Sequence, residues 1–190
     1  GLVGGQWLMR TLSDYGRADI AYTIATQTDY PSWGYMIGKD ATTIWELWNG
    51  DTADPAMNSH NHVMLVGDLA IWFHEYLAGI QSDSENPGFK HITMKPHPVG
   101  DLTSTEATYQ SMYGEIASAW EIKDGQFQWK VRIPANTTAT VYVPVQENGE
   151  VQESGKPAAK AEGVSAKGVD NGYAVYTVGS GDYYFNTPRK

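Results

Sequence analysis

Tyr30-Pro-Ser-Trp-Gly-Tyr-Met36 and Ala41-Thr-Thr-Ile-Trp-Glu-Leu-Trp-Asn-Gly-Asp51 gather three Trp and two Tyr around one glutamate, Glu46. Flat apolar rings beside a carboxylate suit the cleavage of a sugar: rings cover the C–H face of a pyranose, and the carboxylate moves a proton at its anomeric carbon. Trp45 and Trp48 flank Glu46 in the chain, and a carboxylate stripped of part of its water is a stronger base. Read alone, the same residue fits a surface Glu at a helix start equally well, where the helix dipole favours it. Trp33 and Trp48 fall in loop-rich sequence and are candidates for a pocket wall, whereas Trp45 fits a wall or a core. Trp7 and Trp72 lie on apolar stripes and are expected in a core. His60 and His62 form a His-x-His pair, but without Cys or an i, i+4 partner no metal site is expected. Asp51 and Asp54 read as turn residues.

These residues need elements to hold them. Trp7, Leu8, Thr11 and Leu12 share one face of a helix expected from about Gly4 to Tyr15, which Gly16 would stop. A second helix is expected to begin near Arg17, making an αα-hairpin. Residues 28–61 are rich in Gly, Pro, Asn, Asp and Thr, and a loop this long inside a compact domain is usually functional. Within it, Thr42-Thr43 to Trp48 is expected to begin a short helix. The strongest helical stripe runs from His62 to Ile80 through Leu65, Leu69, Trp72, Phe73, Tyr76 and Leu77.

Gln81 to Gly88 reads as a polar linker, and beyond it the apolar residues alternate. Asp124-Gly125 is a hairpin signal, with Phe127, Trp129, Val131 and Ile133 on one face of the following arm and Lys130 and Arg132 on the other. Further strands at 139–143, 173–178 and 183–185, with turns at Asn136, Asn148-Gly149 and Asn171-Gly172, describe an antiparallel sandwich. Trp120 and Trp129 are expected in its core. The Ala- and Lys-rich stretch Gly155 to Gly168 is expected to be an exposed loop. The fold class is therefore mixed α and β in separate domains.

Composition narrows the partners. The net charge is −9, and up to Gly88 three basic residues stand against eleven acidic ones. An acidic first half without a basic patch argues against nucleic acid and anionic lipid. No apolar run reaches the ~18 residues that span a membrane. The absence of Cys excludes disulfides and thiolate metal sites. The chain opens Gly1-Leu-Val-Gly-Gly-Gln-Trp, without Met or a leader, and is expected to be the C-terminal piece of a longer protein. Periplasm, cell exterior and cytoplasm all stay open as its location.

Taken together, Gly16-Arg-Ala-Asp-Ile-Ala-Tyr22, Tyr30 to Met36, Ala41 to Glu46, Asn61-His62 before a long helix closing at Leu77-Ala-Gly79, Gly88-Phe-Lys-His-Ile and Met94-Lys-Pro96 resemble bacterial α-L-rhamnosidases of glycoside hydrolase family 78. The resemblance covers most of residues 1–135. It implies that residues 1–85 are the last helices of an (α/α)6 barrel and residues 89–190 a C-terminal β-sandwich. It also implies an inverting hydrolase that releases L-rhamnose from a rhamnose-containing glycoside or oligosaccharide and needs no cofactor or metal. Glu46 would be its general base, His62 would line the sugar pocket, and Trp33, Tyr35 and Trp48 would border it. The general acid would come from the missing upstream part of the same enzyme, leaving this piece inactive alone. Rival expectations are a non-catalytic carbohydrate-binding or scaffold module, or another (α/α)6 glycosidase. A lyase acting on uronic acids would need more basic residues than the first half has.

Overall fold

The computed structural model describes residues 2–146 and 149–189, so Asn148 of the expected Asn148-Gly149 turn lies outside the described residues. The chain divides into two compact units, residues 1–73 and 74–190.

In the first unit, helix α1 (Leu2–Asp14) is followed by α2 (Ala18–Thr26). Between them Gly16 adopts φ +75°. Its N–H donates to the Ser13 carbonyl at 3.0 Å and the Arg17 N–H to the Leu12 carbonyl at 2.7 Å, the paired bonds of a Schellman stop. Helix α3 (Trp33–Gly38) was not foreseen; Ser32 caps it, its hydroxyl accepting from the Tyr35 N–H at 2.8 Å. Helix α4 (Val66–Trp72) follows a 3-10 turn at Val63–Leu65 and runs into a π-helical turn at Phe73–Leu77. Two expected helical features differ. Thr42 to Trp48 is not helical, because the Thr43 hydroxyl is used on the carbonyl of His60 rather than as a cap. Trp7 is 55% exposed instead of core, its ring lying under the Arg10 guanidinium at 5.2 Å. Trp72 is fully buried, and its indole N–H donates to the Ser13 hydroxyl at 2.8 Å, which itself donates to the Met9 carbonyl at 2.9 Å. That relay fastens α4 to α1.

The second unit is a β-sandwich. Its strands are β1 (Ile80–Ser82), β2 (His91–Met94), β3 (Ser104–Ser111), β4 (Gly114–Lys123), β5 (Gln126–Ile133) and β6 (Thr138–Pro144). The remainder are β7 (Gln152–Glu153), β8 (Lys156–Pro157), β9 (Val164–Asp170), β10 (Tyr173–Val178) and β11 (Gly181–Pro188). One sheet has the order β1-β2-β6-β10-β9 and the other β3-β4-β5-β11-β7-β8. All pairings but one are antiparallel: β2 runs parallel to β6, because the chain crosses to the other sheet and back between them. Asp124 and Gly125, at φ +50° and +70°, make the expected two-residue turn between β4 and β5.

Three sequence readings change here. Ile80 belongs to β1 and not to the preceding helix, since Gly79 at φ +81° ends it and Ile80 pairs with Met94. Its apolar side chain continued the helical period by coincidence while serving the sandwich core. The stretch read as a linker holds the end of β1 and a turn in which the Asp83 carboxylate accepts from Glu85 N–H at 3.0 Å and Asn86 Nδ2 at 2.8 Å. Gly155 to Gly168 is not an open loop either: it carries β8, a 3-10 turn and the start of β9, because Ala158, Ala161 and Val164 are buried.

The core takes alternate residues from both sheets, among them Ile92, Val141, Trp120, Phe127, Trp129 and Phe185, with Tyr176 of one sheet stacked on Phe185 of the other at 6.0 Å. Each buried large side chain stabilises by about 1.5–3 kcal/mol. Their polar atoms are matched. Ser118 accepts from the Trp129 indole at 2.9 Å and donates to the Ala78 carbonyl at 2.6 Å, and the Trp120 indole donates to the Leu77 carbonyl at 2.8 Å. Ser118→Ala leaves an indole N–H and a carbonyl buried and unpaired, and should lower the unfolding free energy by about 1–3 kcal/mol. Ser104→Ala, at an exposed strand end, should change it by less than about 0.5 kcal/mol. Urea unfolding checks this; equal midpoints for the two variants would contradict it.

Candidate active site

Residues 41–62 contain no regular element, yet their course is fixed. The Glu46 N–H donates to the Ser59 carbonyl and the His62 N–H to the Ile44 carbonyl, both at 2.8 Å. The Leu47 N–H donates to Asn58 Oδ1 at 3.1 Å. Segments 43–47 and 58–62 therefore run side by side in opposite directions. Trp45 is 6% exposed. Gly50 packs flat on its indole, where a Cβ would lie 2.6 Å from Cδ2, and the His60 ring meets it edge-on at 5.8 Å. His60 Nε2 also contacts the Gly50 carbonyl at 3.0 Å, which gives this histidine an architectural task.

Glu46 borders a cleft of about 430 Å3, which the Trp45 indole also helps to line. Its side chain is 36% exposed and that of His62 18%. The Ser59 N–H donates to Glu46 Oε2 at 3.3 Å, and His62 Nδ1 stands 3.7 Å from the same oxygen. Both contacts are to Oε2. Apolar groups dominate the wall: Leu8 from α1, Ile24 from α2, Trp33 and Met36 from α3, and Trp48 after the glutamate. The Trp33 and Trp48 rings meet edge-to-face at 5.4 Å. A hollow with indole walls and one half-exposed carboxylate can hold a sugar ring by its C–H face and a water molecule against the carboxylate.

The candidate residues are thus distributed unevenly. Glu46, Trp33, Trp45 and Trp48 line the cleft. His62 does not line the cleft itself: its Nδ1 stands 3.7 Å from Glu46 Oε2, and its Nε2 is buried without a hydrogen-bond partner among the described residues. Tyr35 does not line the cleft. Its hydroxyl donates to the Asp51 carboxylate at 3.1 Å, Lys39 lies over its ring at 5.5 Å, and burial followed by Asp51 pushes its ionisation upward. Asp54 accepts from the Ala56 N–H at 2.9 Å in a turn. One residue that sequence reasoning passed over also lines the cleft: Asp68, 8% exposed, in the first turn of α4. The signal was present, since Asp68 sits three residues after Leu65 and one before Leu69, on the apolar stripe itself. Burial pushes its carboxyl upward, with the charge of Arg10 opposing.

Residues 1–77 match the family model described as the bacterial alpha-L-rhamnosidase 6 hairpin glycosidase domain, and residues 79–158 that of the bacterial alpha-L-rhamnosidase C-terminal domain. An alpha-L-rhamnosidase of Streptomyces avermitilis is 35% identical over 190 residues, which are 97% of this chain and 17% of that protein. One from Formosa agariphila is 38% identical over 153 residues, 78% of this chain and 16% of its own length. Among solved structures, alpha-L-rhamnosidase from Dictyoglumus thermophilum superimposes with a TM-score of 0.89 at 35% identity, covering 100% of this chain and 21% of that one. The Streptomyces avermitilis alpha-L-rhamnosidase complexed with L-rhamnose gives 0.86 at 33% identity, covering 98% and 18%. The chain spans about a sixth of the length of the curated relatives it matches.

The packing of Trp45 on Gly50 carries a direct consequence. Gly50→Ala drives a methyl into the indole, so the variant should lose about 1–3 kcal/mol of stability, the usual effect of overpacking, and should shift the fluorescence of the loop tryptophans. Unchanged stability and emission would mean that this contact does not hold the loop.

Proposed function

The chain belongs to the bacterial α-L-rhamnosidase family, and on that premise we propose that it forms part of an inverting glycoside hydrolase releasing L-rhamnose from α-L-rhamnosides, with Glu46 as general base. The observation that carries the reading is the setting of Glu46: a carboxylate gripped on one oxygen by the Ser59 N–H, with His62 at 3.7 Å, at the edge of a cleft walled by Trp33 and Trp48. The names of the relatives, one of them a complex with L-rhamnose, support it.

In this mechanism a water molecule rests against Oε1 of Glu46, the oxygen that the Ser59 N–H does not use. As the glycosidic bond breaks, that water loses a proton to Glu46 and its oxygen attacks the anomeric carbon from the side opposite the leaving oxygen. A second carboxyl protonates the leaving oxygen. Inverting enzymes keep the two groups roughly 6.5–9.5 Å apart, with room for the water between them. The second carboxyl belongs to sequence beyond these residues, so the chain by itself is inactive. His62, with Nδ1 3.7 Å from Glu46 Oε2, keeps the contact with a sugar hydroxyl that the family resemblance implies for it, beside the base. Trp33 and Trp48 cover the apolar face of the ring, and Tyr35, latched to Asp51, holds the outer end of the bordering loop. The helices of residues 1–77 complete an (α/α)6 barrel. The exposure of Trp7, Leu8, Ile37 and Phe73 supports this, since neighbouring helices would cover large apolar groups of this kind.

In the full-length enzyme, Glu46→Gln should lower kcat by ~10²–10⁴-fold on an aryl α-L-rhamnoside, the usual worth of a general base, with folding intact. Near-normal turnover by that variant would contradict the assignment, as would hydrolysis by the purified 190-residue chain.

A further inference from the structure

We infer that Asp68 is a sugar-binding residue of this cleft, its carboxylate accepting hydrogen bonds from the ring hydroxyls of the glycoside and setting the orientation in which Glu46 meets it. The inference rests on the rhamnosidase reading and adds to it a specificity-determining residue. Asp68 is 8% exposed and lines the same cleft as Glu46, Trp33 and Met36, with the charge of Arg10 acting on it and no side-chain hydrogen bond to its carboxylate found among the described residues. A carboxylate with so little exposure and no protein donor depends on the water of the cleft for its hydrogen bonds, and a ligand that displaces this water has to replace them. The hydroxyls of a sugar entering the cleft can supply those donors.

The neighbouring backbone is arranged to keep the carboxylate where it is. Gly5 of α1 faces Asp68, and a Cβ there would come within 3.0 Å of Oδ2, while a Cβ on Gly4 would meet nothing within 4 Å and open onto the cleft. Two glycines in the first turn of a helix lower its stability by about 1 kcal/mol each relative to Ala. They leave depth beside Asp68 that side chains would otherwise fill. Burial pushes the carboxyl upward and the charge of Arg10 opposes it.

The ligand chemistry follows from the surroundings. A carboxylate offers only acceptor sites, and two adjacent hydroxyls can donate to its two oxygens at once. Leu8, Ile24, Met36 and Leu65, which line the same cleft, suit C–H and methyl groups. The presence of Arg10 nearby already counters the negative charge, which favours a neutral polyol over a second cation. A 6-deoxypyranose presents both an apolar methyl end and a rim of hydroxyls.

The test uses the full-length enzyme, with L-rhamnose binding by calorimetry and kinetics on aryl α-L-rhamnosides bearing single deoxy substitutions at each ring hydroxyl. Asp68→Asn should raise the Kd for L-rhamnose and the KM by about 10–100-fold, the range for a hydrogen bond to a charged group, with a much smaller change in kcat. For one deoxy substrate the wild type and the variant should become equal, since the hydroxyl that Asp68 holds is already gone. Gly5→Ala, which keeps the carboxylate but crowds it, should penalise the same hydroxyl selectively. Wild-type behaviour of Asp68→Asn, or deoxy penalties that add fully to its own, would overturn the role. So would a fall in kcat at constant KM that grows with leaving-group basicity, because Asp68 would then be the acid. A wild type that neither binds L-rhamnose nor cleaves the aryl rhamnoside overturns the rhamnosidase reading itself.

Discussion

The alignment of residues 43–47 beside 58–62 is the constraint on which the candidate site depends. Two backbone bonds, Glu46 to Ser59 and His62 to Ile44, bring together positions far apart in a stretch that has no helix or strand of its own. They hold Trp45, 6% exposed, and Glu46 at the wall of one cleft. They also put the Ser59 N–H and the His62 ring on one oxygen of the carboxylate. Loops longer than about 12–15 residues are where conformational multiplicity ordinarily lives. Here the buried indole of Trp45, packed on Gly50 and against His60, supplies the apolar anchor that a helix or sheet would provide elsewhere.

A second device appears in both units. A serine hydroxyl, itself bonded to a carbonyl, receives an indole N–H: Ser13 with Trp72 in the first unit and Ser118 with Trp129 in the second. The arrangement lets a tryptophan be buried completely without an orphaned donor. In the first unit it has a consequence for the cleft, because fastening α4 to α1 brings Asp68 against Gly5. Gly5 and Asp68, held side by side in this way, both line the cleft.

Local signals in the sequence carried most of the architecture. Gly16, Asp124-Gly125 and the alternation after Gln126 specify a helix stop, a hairpin turn and a buried strand face through backbone conformation and side-chain period alone. Non-local partners were harder to read. The parallel pairing of β2 with β6 depends on where the chain returns after three intervening strands, and Ile80 fits a helical stripe although its neighbour is Met94. Trp7 looked like core because its period is right, yet a period says which side of a helix is apolar and not what lies against it. At the site, Glu46, Trp33 and Trp48 stood out by composition and meet at one cleft. Asp68 was overlooked among the leucines, where a charged residue on the apolar stripe was the clue. Tyr35 looked equivalent to Trp33, but its hydroxyl found Asp51 at a sequence distance of 16 residues.

The central claim is that Glu46 acts on a water molecule and not directly on the sugar carbon. The most direct measurement is proton NMR of the anomeric signal during the first turnovers of an aryl α-L-rhamnoside by the full-length enzyme, before mutarotation mixes the products. The account predicts that β-L-rhamnose appears first and the α anomer only later. Initial release of α-L-rhamnose would mean retention through a covalent intermediate, and would contradict the account.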